Sequence, residues 1–340
     1  MRGQETSPET FRAFRAFKEG ERSWTEVVEL GENDLPDGDL TVRVHYSSLN
    51  YKDALSARGR PGVTRHYPHT PGIDAAGVVI ESSDPALPAG SEVIVTSYEL
   101  GVDLPGGFGE RIRVPAAWAV PLPNGLTLRE AMILGTAGLT AGLALDALER
   151  NGVVPGDGPL VVTGASGGVG SLAVALLAGR GHEVVASSGT REAHELLLRL
   201  GASRVLDRGE LGESNERPLL KSTYAGGIDT VGGATLVNLL KSLRYRGAVA
   251  ACGLVQSPDL RMNVFPFILR GNSLLGIDSA NCQMPMRREV WTRLAGEWKP
   301  AHLEELTREI GLGELDDAVD AILAGRTIGR VLVRHRDAVD

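Results

Sequence analysis

The stretch "PLVVTGASGGVGSLAVALLAGRG", Pro159 to Gly181, constrains the fold more than any other part of the chain. A short β-branched run enters a turn with glycines at 164, 167, 168 and 170, and an apolar segment with helical spacing follows. A strand that must hand over to a helix within so few residues needs backbone unencumbered by side chains. Gly167 and Gly168 let the chain approach a pyrophosphate, and Gly170 lets the helix lie close to the sheet. The helix beginning near Val169, with Ser166 beside its start, aims its free N–H groups at the phosphates. The rhythm then repeats. "EVVASSG" feeds "REAHELLLRLGA", "RVLD" follows, and "GGIDTVGG" feeds "ATLVNLLKSLRYRG" and then "AVAACG". This alternation predicts an α/β fold with a Rossmann-type doubly wound parallel sheet.

On either side the pattern changes. "DLTVRVHYSSL" alternates at Val42, Val44 and Tyr46, and "GVVIES", "SEVIVTSY" and "GERIRVP" add short strands broken by Gly and Pro. "LREAMILGTAGLTAGLALDALERNG" predicts a helix from about Leu128 to Gly152, interrupted in the Gly135–Gly138 region. Towards the C-terminal end, "MRREVWTRLAGEW" and "ELDDAVDAILAGR" read as helices and "GRVLVRH" as a final strand. That strand is expected to pair with the β-rich first third. The first domain is then discontinuous, 1–134 with 284–340, around a doubly wound domain at 135–283. The opening "MRGQETSPET" reads as a loose tail, and "FRAFRAF" is too short to indicate a repeat architecture.

A chain of 340 residues, 42 % of them hydrophobic, can bury the cores of two such domains. Its net charge of −8 argues against a general nucleic-acid partner while leaving room for a local basic pocket. The two cysteines, Cys252 and Cys282, exclude a disulfide scaffold and a four-cysteine zinc lobe. No run reaches the roughly 20 apolar residues of a membrane helix, and the N-terminal stretch has no apolar signal core. A cytoplasmic protein with no membrane partner is expected.

Cofactor choice is read at the end of the second strand of the doubly wound part. An NAD site usually places Asp or Glu about 20 residues after the glycines, where it accepts from the ribose hydroxyls. This chain has "SSGTR" there, without a carboxylate. Ser188, Gly189, Thr190 and Arg191 suit a ribose phosphate, and Arg204 in the third strand adds positive charge near the adenosine end. NADPH is the expected cofactor. The plain alternative makes Arg191 a solvated first-turn residue of the next helix.

The turn's spelling also fits the short-chain dehydrogenases, which need a Tyr-x-x-x-Lys pair downstream. Tyr224 and Tyr245 lack that lysine, and nearly half the chain precedes the turn. The first third instead resembles the chaperonin-10-like (GroES-like) catalytic domain of the medium-chain dehydrogenase/reductase superfamily, in "SSLNYKDALSARGR", "TPGIDAAGVV" and "GTAGLTA". Zinc-dependent members carry a Cys near the first stretch and Gly-His-Glu near the second. Here those places hold "LNYKD" and "PGIDAAG", leaving Asp53 and Asp74 without thiolate or imidazole partners. His66 and His69 are three apart with no third ligand nearby, and no metal is expected. Among zinc-free members, "SSLNYKDAL", "GIDTVGG", "AVAACGL", "PFILRGNSLLGIDS" and "REVW" together resemble the acrylyl-CoA reductase family, often labelled quinone oxidoreductases, over Phe14 to Arg334. "YELGVDLPGGFGE" and "SANCQMPM" depart from that family's usual spelling.

The resemblance implies hydride transfer from NADPH to the double bond of a short enoyl-CoA such as acrylyl-CoA. It places "NYKD" beside the nicotinamide, with Asn50 as an amide donor for an enolate oxygen or the carboxamide. Tyr51 is then a cofactor neighbour and candidate proton donor, Asp53 orients both, and Arg330 partners Asp53 or the carboxamide. Read locally, Asn50 and Asp53 are equally caps of the following helix, and Arg330 equally a structural ion pair. By the same resemblance Leu254, Ile268 and Ser279 line the nicotinamide side. By residue type alone, the first two are ordinary core and Ser279 satisfies local backbone. Lys52 is a surface lysine whose charge a coenzyme A phosphate would use. The rival activity is NADPH:quinone oxidoreduction, and a further rival is an NADPH-binding protein without turnover. "NSLLGIDS" implies a homodimer, since the corresponding strand in the superfamily pairs across a dimer axis.

Overall fold

The computed structural model describes residues 10–338, so most of the expected N-terminal tail lies outside the described residues. The chain divides into two compact units. One holds the chain through Thr136, Gln283–Arg288 and everything from Thr307 on; the other holds Ala137–Cys282 and Glu289–Leu306.

The first unit opens with an antiparallel hairpin of β1 (Thr10–Glu19) and β2 (Arg22–Gly31). "FRAFRAF" is the body of β1, burying Phe11, Ala13, Phe14 and Ala16; its repeat of three hides the strand period of two. The main sheet begins with β3 (Leu40–Leu49), β4 (Asp74–Ser82), β5 (Glu92–Thr96), β6 (Arg111–Val114) and β7 (Ala119–Pro121). Leu40, Val42, Val44, Ala75, Val93, Val95 and Ile112 form its buried face. A seven-residue helix, Tyr51–Ala57, leaves the end of β3 and buries Ala54 and Ala57 against Leu315, Ala318 and Val319.

The helix Leu128–Arg150 is broken at Gly135, whose φ of 51° and ψ of −155° are not helical. The unit boundary falls directly after it, between Thr136 and Ala137. This helix is long and apolar enough to cross a membrane, which the sequence reading did not find. Its most apolar window is 89 % buried inside the protein and it is kinked, so it is a core helix.

The second unit is a six-stranded parallel sheet of β8 (Leu160–Thr163), β9 (Val184–Ser188), β10 (Ala202–Asp207), β11 (Tyr224–Asp229), β12 (Leu243–Ala251) and β13 (Ser273–Gly276). Their order is β10-β9-β8-β11-β12-β13. The chain runs outward from β8 in one direction and outward from β11 in the other, which makes the crevice between β8 and β11 the switch point where doubly wound sheets bind ligands. The segment "LRYRG", expected as helix, belongs to β12: the helix before it ends at Lys241, and register shifts where Leu243 pairs with Tyr224 and Ala248 with Gly226. Arg246, at φ 62°, takes up that bulge.

The chain returns to the first unit with β14 (Thr307–Ile310) and β15 (Arg330–Arg334). β15 runs antiparallel to β3, Val331 opposite Leu49, so the last strand does close the first sheet. The return is more divided than a single 284–340 block. Residues 289–306 stay with the second unit because Val290, Leu294 and Trp298 pack over Gly142, where a Cβ would meet the Val290 methyl at 2.6 Å.

Candidate active site

The glycine turn sits at the carboxyl end of β8. Gly164 has φ 59°, Gly167 is the N-cap of the helix Gly168–Gly179, and a Cβ on Gly170 would collide with the Gly164 carbonyl. Gly170 is therefore the close-packing glycine and Gly164 the turn glycine. A Cβ on Gly167 would meet only the Gly164 oxygen at 3.4 Å, so its bare backbone leaves open space. The N–H groups of Gly168, Val169 and Gly170 have no intrahelical carbonyl and face that space, with Ser166 half-buried beside them. Across the crevice Asp229 ends β11. Its carboxylate accepts from Thr163 Oγ1 at 2.7 Å and from the Gly232 N–H at 2.7 Å, tying the two strand ends together. Burial pushes this carboxyl above its ordinary range. These residues fit a dinucleotide diphosphate.

At the end of β9, Ser188 is buried and its hydroxyl accepts the Thr190 N–H at 3.1 Å; Ser166 Oγ stands 3.5 Å from Thr190 Oγ1. Gly189 and Arg191 are exposed, and the Arg191 guanidinium has no partner among the described residues. Arg204 pairs with Val185, well back from the carboxyl end of the sheet. Arg208 occupies the position expected of Arg204. It follows β10 directly, and its side chain lies over Gly189, where a Cβ would stand 2.6 Å from its Cδ and 2.8 Å from its Nε. Arg208 also lacks a side-chain partner among the described residues. Its offset from the strand end was the available sequence signal. Two unpaired guanidiniums and two hydroxyls, on a strand end with no carboxylate of its own and with Asp207 opposite it accepting the Gly209 N–H, suit a phosphorylated ribose.

Leu254 is 64 % exposed and Ile268 67 % exposed, so neither is core. Ser279 accepts a hydrogen bond from Thr140 Oγ1 at 2.7 Å. Cys252 is held near Asp229 at the end of β12, and burial pushes its thiol up to about 12, which removes it as a nucleophile at neutral pH.

In the first unit the residues after β3 form a buried polar cluster with Asp74 at its centre. One Asp74 oxygen accepts from Thr136 Oγ1 at 2.6 Å; the other accepts from Ser48 Oγ at 2.6 Å and Asn50 Nδ2 at 2.8 Å. Arg330, buried, donates to Ser48 Oγ at 2.8 Å and to the Ile133 carbonyl at 2.9 Å, and its Nη2 lies 3.8 Å from Asp74. Asp53 accepts from the backbone N–H groups of Asn50 and Ile73, each at 2.8 Å. Burial first, and then the Asp74 carboxylate, push Asp53 up to about 7. Burial holds Arg330 below its usual range, against the pull of Asp74 and Asp53.

These contacts bear on three of the expected roles. Both Asn50 amide protons are committed, to Asp74 and to the Ser48 carbonyl, and its oxygen faces Arg330 at 3.3 Å. Asn50 therefore has no donor left for a substrate oxygen. Asp53 and Arg330 are buried and saturated, and Arg330 partners Asp74 rather than Asp53. All three are tied to one another and to Asp74 at the start of the helix. Tyr51, 46 % exposed at the first helical position, keeps a hydroxyl with no partner among the described residues. Asp74, Ser48 and Thr136 went unassigned in the sequence because nothing local marks them.

His69 is buried and His66 exposed, and among the described residues no three His, Cys, Asp or Glu side chains converge to hold a metal ion. A switch-point glycine cradle on a doubly wound sheet, together with a separate β-rich unit completed by the chain's last strand, defines a dehydrogenase/reductase of the medium-chain class. Family models described as "Alcohol dehydrogenase GroES-like domain" and "Zinc-binding dehydrogenase" match residues 36–124 and 168–296. The acrylyl-CoA reductase AcuI of Ruegeria pomeroyi is 44 % identical over 95 % of this chain and 98 % of its own. The E. coli K-12 protein YHDH, solved with bound NADPH, is 47 % identical with a TM-score of 0.92, covering 95 % of this chain and 99 % of that one. The Bacillus subtilis protein yhfP, solved with NAD bound, is 45 % identical with a TM-score of 0.93, covering 96 % and 100 %; its sequence bears the name "Putative quinone oxidoreductase YhfP". The chain belongs to the zinc-free medium-chain dehydrogenase/reductase family that includes AcuI and YhfP, and it is an NAD(P)-dependent oxidoreductase.

Proposed function

We propose that the chain reduces the carbon–carbon double bond of a short enoyl-CoA such as acrylyl-CoA, using NADPH, without a metal, as a cytoplasmic homodimer. The observation that carries the cofactor is the end of β9, where Arg191 and Arg208 stand unpaired and the stretch from Ser187 to Arg191 has no carboxylate of its own, while Asp207 opposite Ser188 accepts the Gly209 N–H at 2.9 Å. Substrate class rests on the likeness to AcuI over nearly the whole chain. Bound NADPH supplies a hydride for the β-carbon of an alkene already polarised by its thioester. The chain's own part is to answer the charge that builds on the thioester oxygen and to deliver a proton to the α-carbon. Tyr51 has the free hydroxyl for this. Asn50, Asp53, Asp74 and Arg330 fix the helix start from which it projects.

The second reading, reduction of quinones, is favoured by the name of YhfP. Steady-state NADPH oxidation with acrylyl-CoA and with 1,4-benzoquinone separates the two. Turnover of the thioester with a higher kcat/KM is expected; turnover of the quinone alone refutes the enoyl-CoA assignment, and tight NADPH binding with no turnover of either leaves a non-catalytic binder.

A further inference from the structure

The segment from Lys52 to His66 differs in charge from the rest of the molecule. The chain as a whole has 43 acidic and 35 basic residues, whereas this segment has Lys52, Arg58, Arg60 and Arg65 against a single carboxylate, the buried Asp53. Arg58 is spent on Asp316 and Asp320. Lys52, Arg60 and His66 are exposed and have no side-chain partner among the described residues. Arg65 is 78 % exposed, with one loose contact to Asp103 at 3.7 Å. Glu99 lies near Lys52 and Arg65, which draw its carboxyl down, but its hydrogen bond with Asp103 outweighs them and leaves it raised, so these two carboxylates answer the cations only in part.

The loop that carries these side chains is held firmly in place. Tyr67 donates to the Ser56 carbonyl at 2.8 Å, and Ser56 and Thr64 hydroxyls meet at 2.6 Å. Lys18 donates to the Gly59 carbonyl at 2.7 Å and Ser23 to the Arg58 carbonyl at 3.2 Å. The loop is thus pinned by its own side chains and by the β1–β2 hairpin, with Lys52, Arg60, Arg65 and His66 left exposed. It follows directly on the helix that begins with Tyr51. An ordered surface of exposed, loosely paired cations suits a ligand with several phosphates, and a quinone has none.

We propose that Lys52, Arg60, Arg65 and His66 form the phosphate-recognition surface for the coenzyme A half of the thioester. The assignment rests on the enoyl-CoA reading above and adds to it the residues that would distinguish a coenzyme A ester from a bare acyl group.

Two measurements test it on the full-length protein. Calorimetric titration with free coenzyme A needs no turnover: saturable, salt-sensitive binding is expected for the parent, weakened at least tenfold in Arg60→Gln/Arg65→Gln and further in Arg60→Glu/Arg65→Glu. Kinetically, the parent should show a lower KM for acrylyl-CoA than for acrylyl-pantetheine, and the double variants should bring that KM ratio towards one. Coenzyme A binding that is absent, or indifferent to both double variants, overturns the proposal even if the thioester is reduced. Binding that depends on these residues in a protein that reduces no thioester leaves the surface standing and removes the reductase reading instead.

Discussion

Gly135 meets two demands at once. Its φ of 51° favours glycine, and an added Cβ would lie 2.6 Å from Ser48 Oγ, 3.0 Å from Arg330 Nη2, and closer still to the Asp74 carboxylate. Gly135→Ala therefore strains the backbone and intrudes on a buried ionic cluster together; it should cost more than about 2 kcal/mol in urea unfolding. A loss below about 0.5 kcal/mol would show that the kink adjusts freely. Arg208 permits a cleaner test, because it is exposed and its removal leaves no buried charge. Arg208→Glu should weaken NADPH at least tenfold, about 1.4 kcal/mol, with little effect on NADH, as read by nucleotide fluorescence titration. Equal losses for both nucleotides would place the phosphate elsewhere. At this scale the sequence showed which residue types were present but not what they touched. "SSGTR" pointed to a phosphate-binding strand end by its lack of a carboxylate, yet Arg208 could be placed beside it only once β10 was aligned with β9. Asn50 was legible as a polar residue at a helix start. Its real partner, Asp74, lies 24 positions away, and no local pattern joins them.

The helix Tyr51–Ala57 is too short to hold itself, so its start is fixed by what is buried beneath it. Asp53 does most of this, accepting the Asn50 N–H ahead of the helix and the Ile73 N–H beside β4. Its elevated pKa has a consequence for stability. Asp53 moves from an ordinary value of 3.8 up to about 7 through burial and the Asp74 charge. Between those values the folded chain keeps a proton that the unfolded chain releases, so this group's contribution is complete below about pH 4 and lost as pH rises towards 7. Asp53→Asn has no such proton to lose. The variant should be less stable than the parent through loss of an acceptor, and its deficit should be larger near pH 5 than near pH 8, measured by urea midpoints at both. A deficit that does not change with pH would mean that Asp53 is ionised in the folded chain throughout. Strands β3 to β6 were readable from alternation and turn residues, β8 to β11 from the strand–glycine–helix rhythm, and the helix itself from the capping residues at its start. β1 and the bulged start of β12 were not. A repeat of three and a register shift are settled by the neighbouring strand, not by the segment's own letters.

For the whole molecule, the pairing of β15 with the first sheet was legible because "GRVLVRH" is a strand that follows the doubly wound part and returns to the β-rich pattern of the first third, whereas its second neighbour, β14, was not read. The double return was not: it depends on Gly142 making room for Val290, Leu294 and Trp298, a packing decision invisible in either segment alone. One edge bears on assembly. β13 ends the parallel sheet, pairing with β12 on one side and with no strand on the other among the described residues. Around it the second unit exposes Val255, Val264, Phe265 and Leu269 as well as Leu254 and Ile268. An open strand edge beside so many exposed apolar side chains is a liability in a lone subunit and an asset in a symmetric pair. The expected solution mass is therefore twice the 36.0 kDa chain, by sedimentation equilibrium. If the edge is what joins the copies, Phe265→Asp/Leu269→Asp should shift the population towards the single chain without unfolding it, since both residues are exposed in the isolated subunit. A parent that sediments as one chain at micromolar concentration rules the pairing out. A double variant that stays dimeric places the interface on another face.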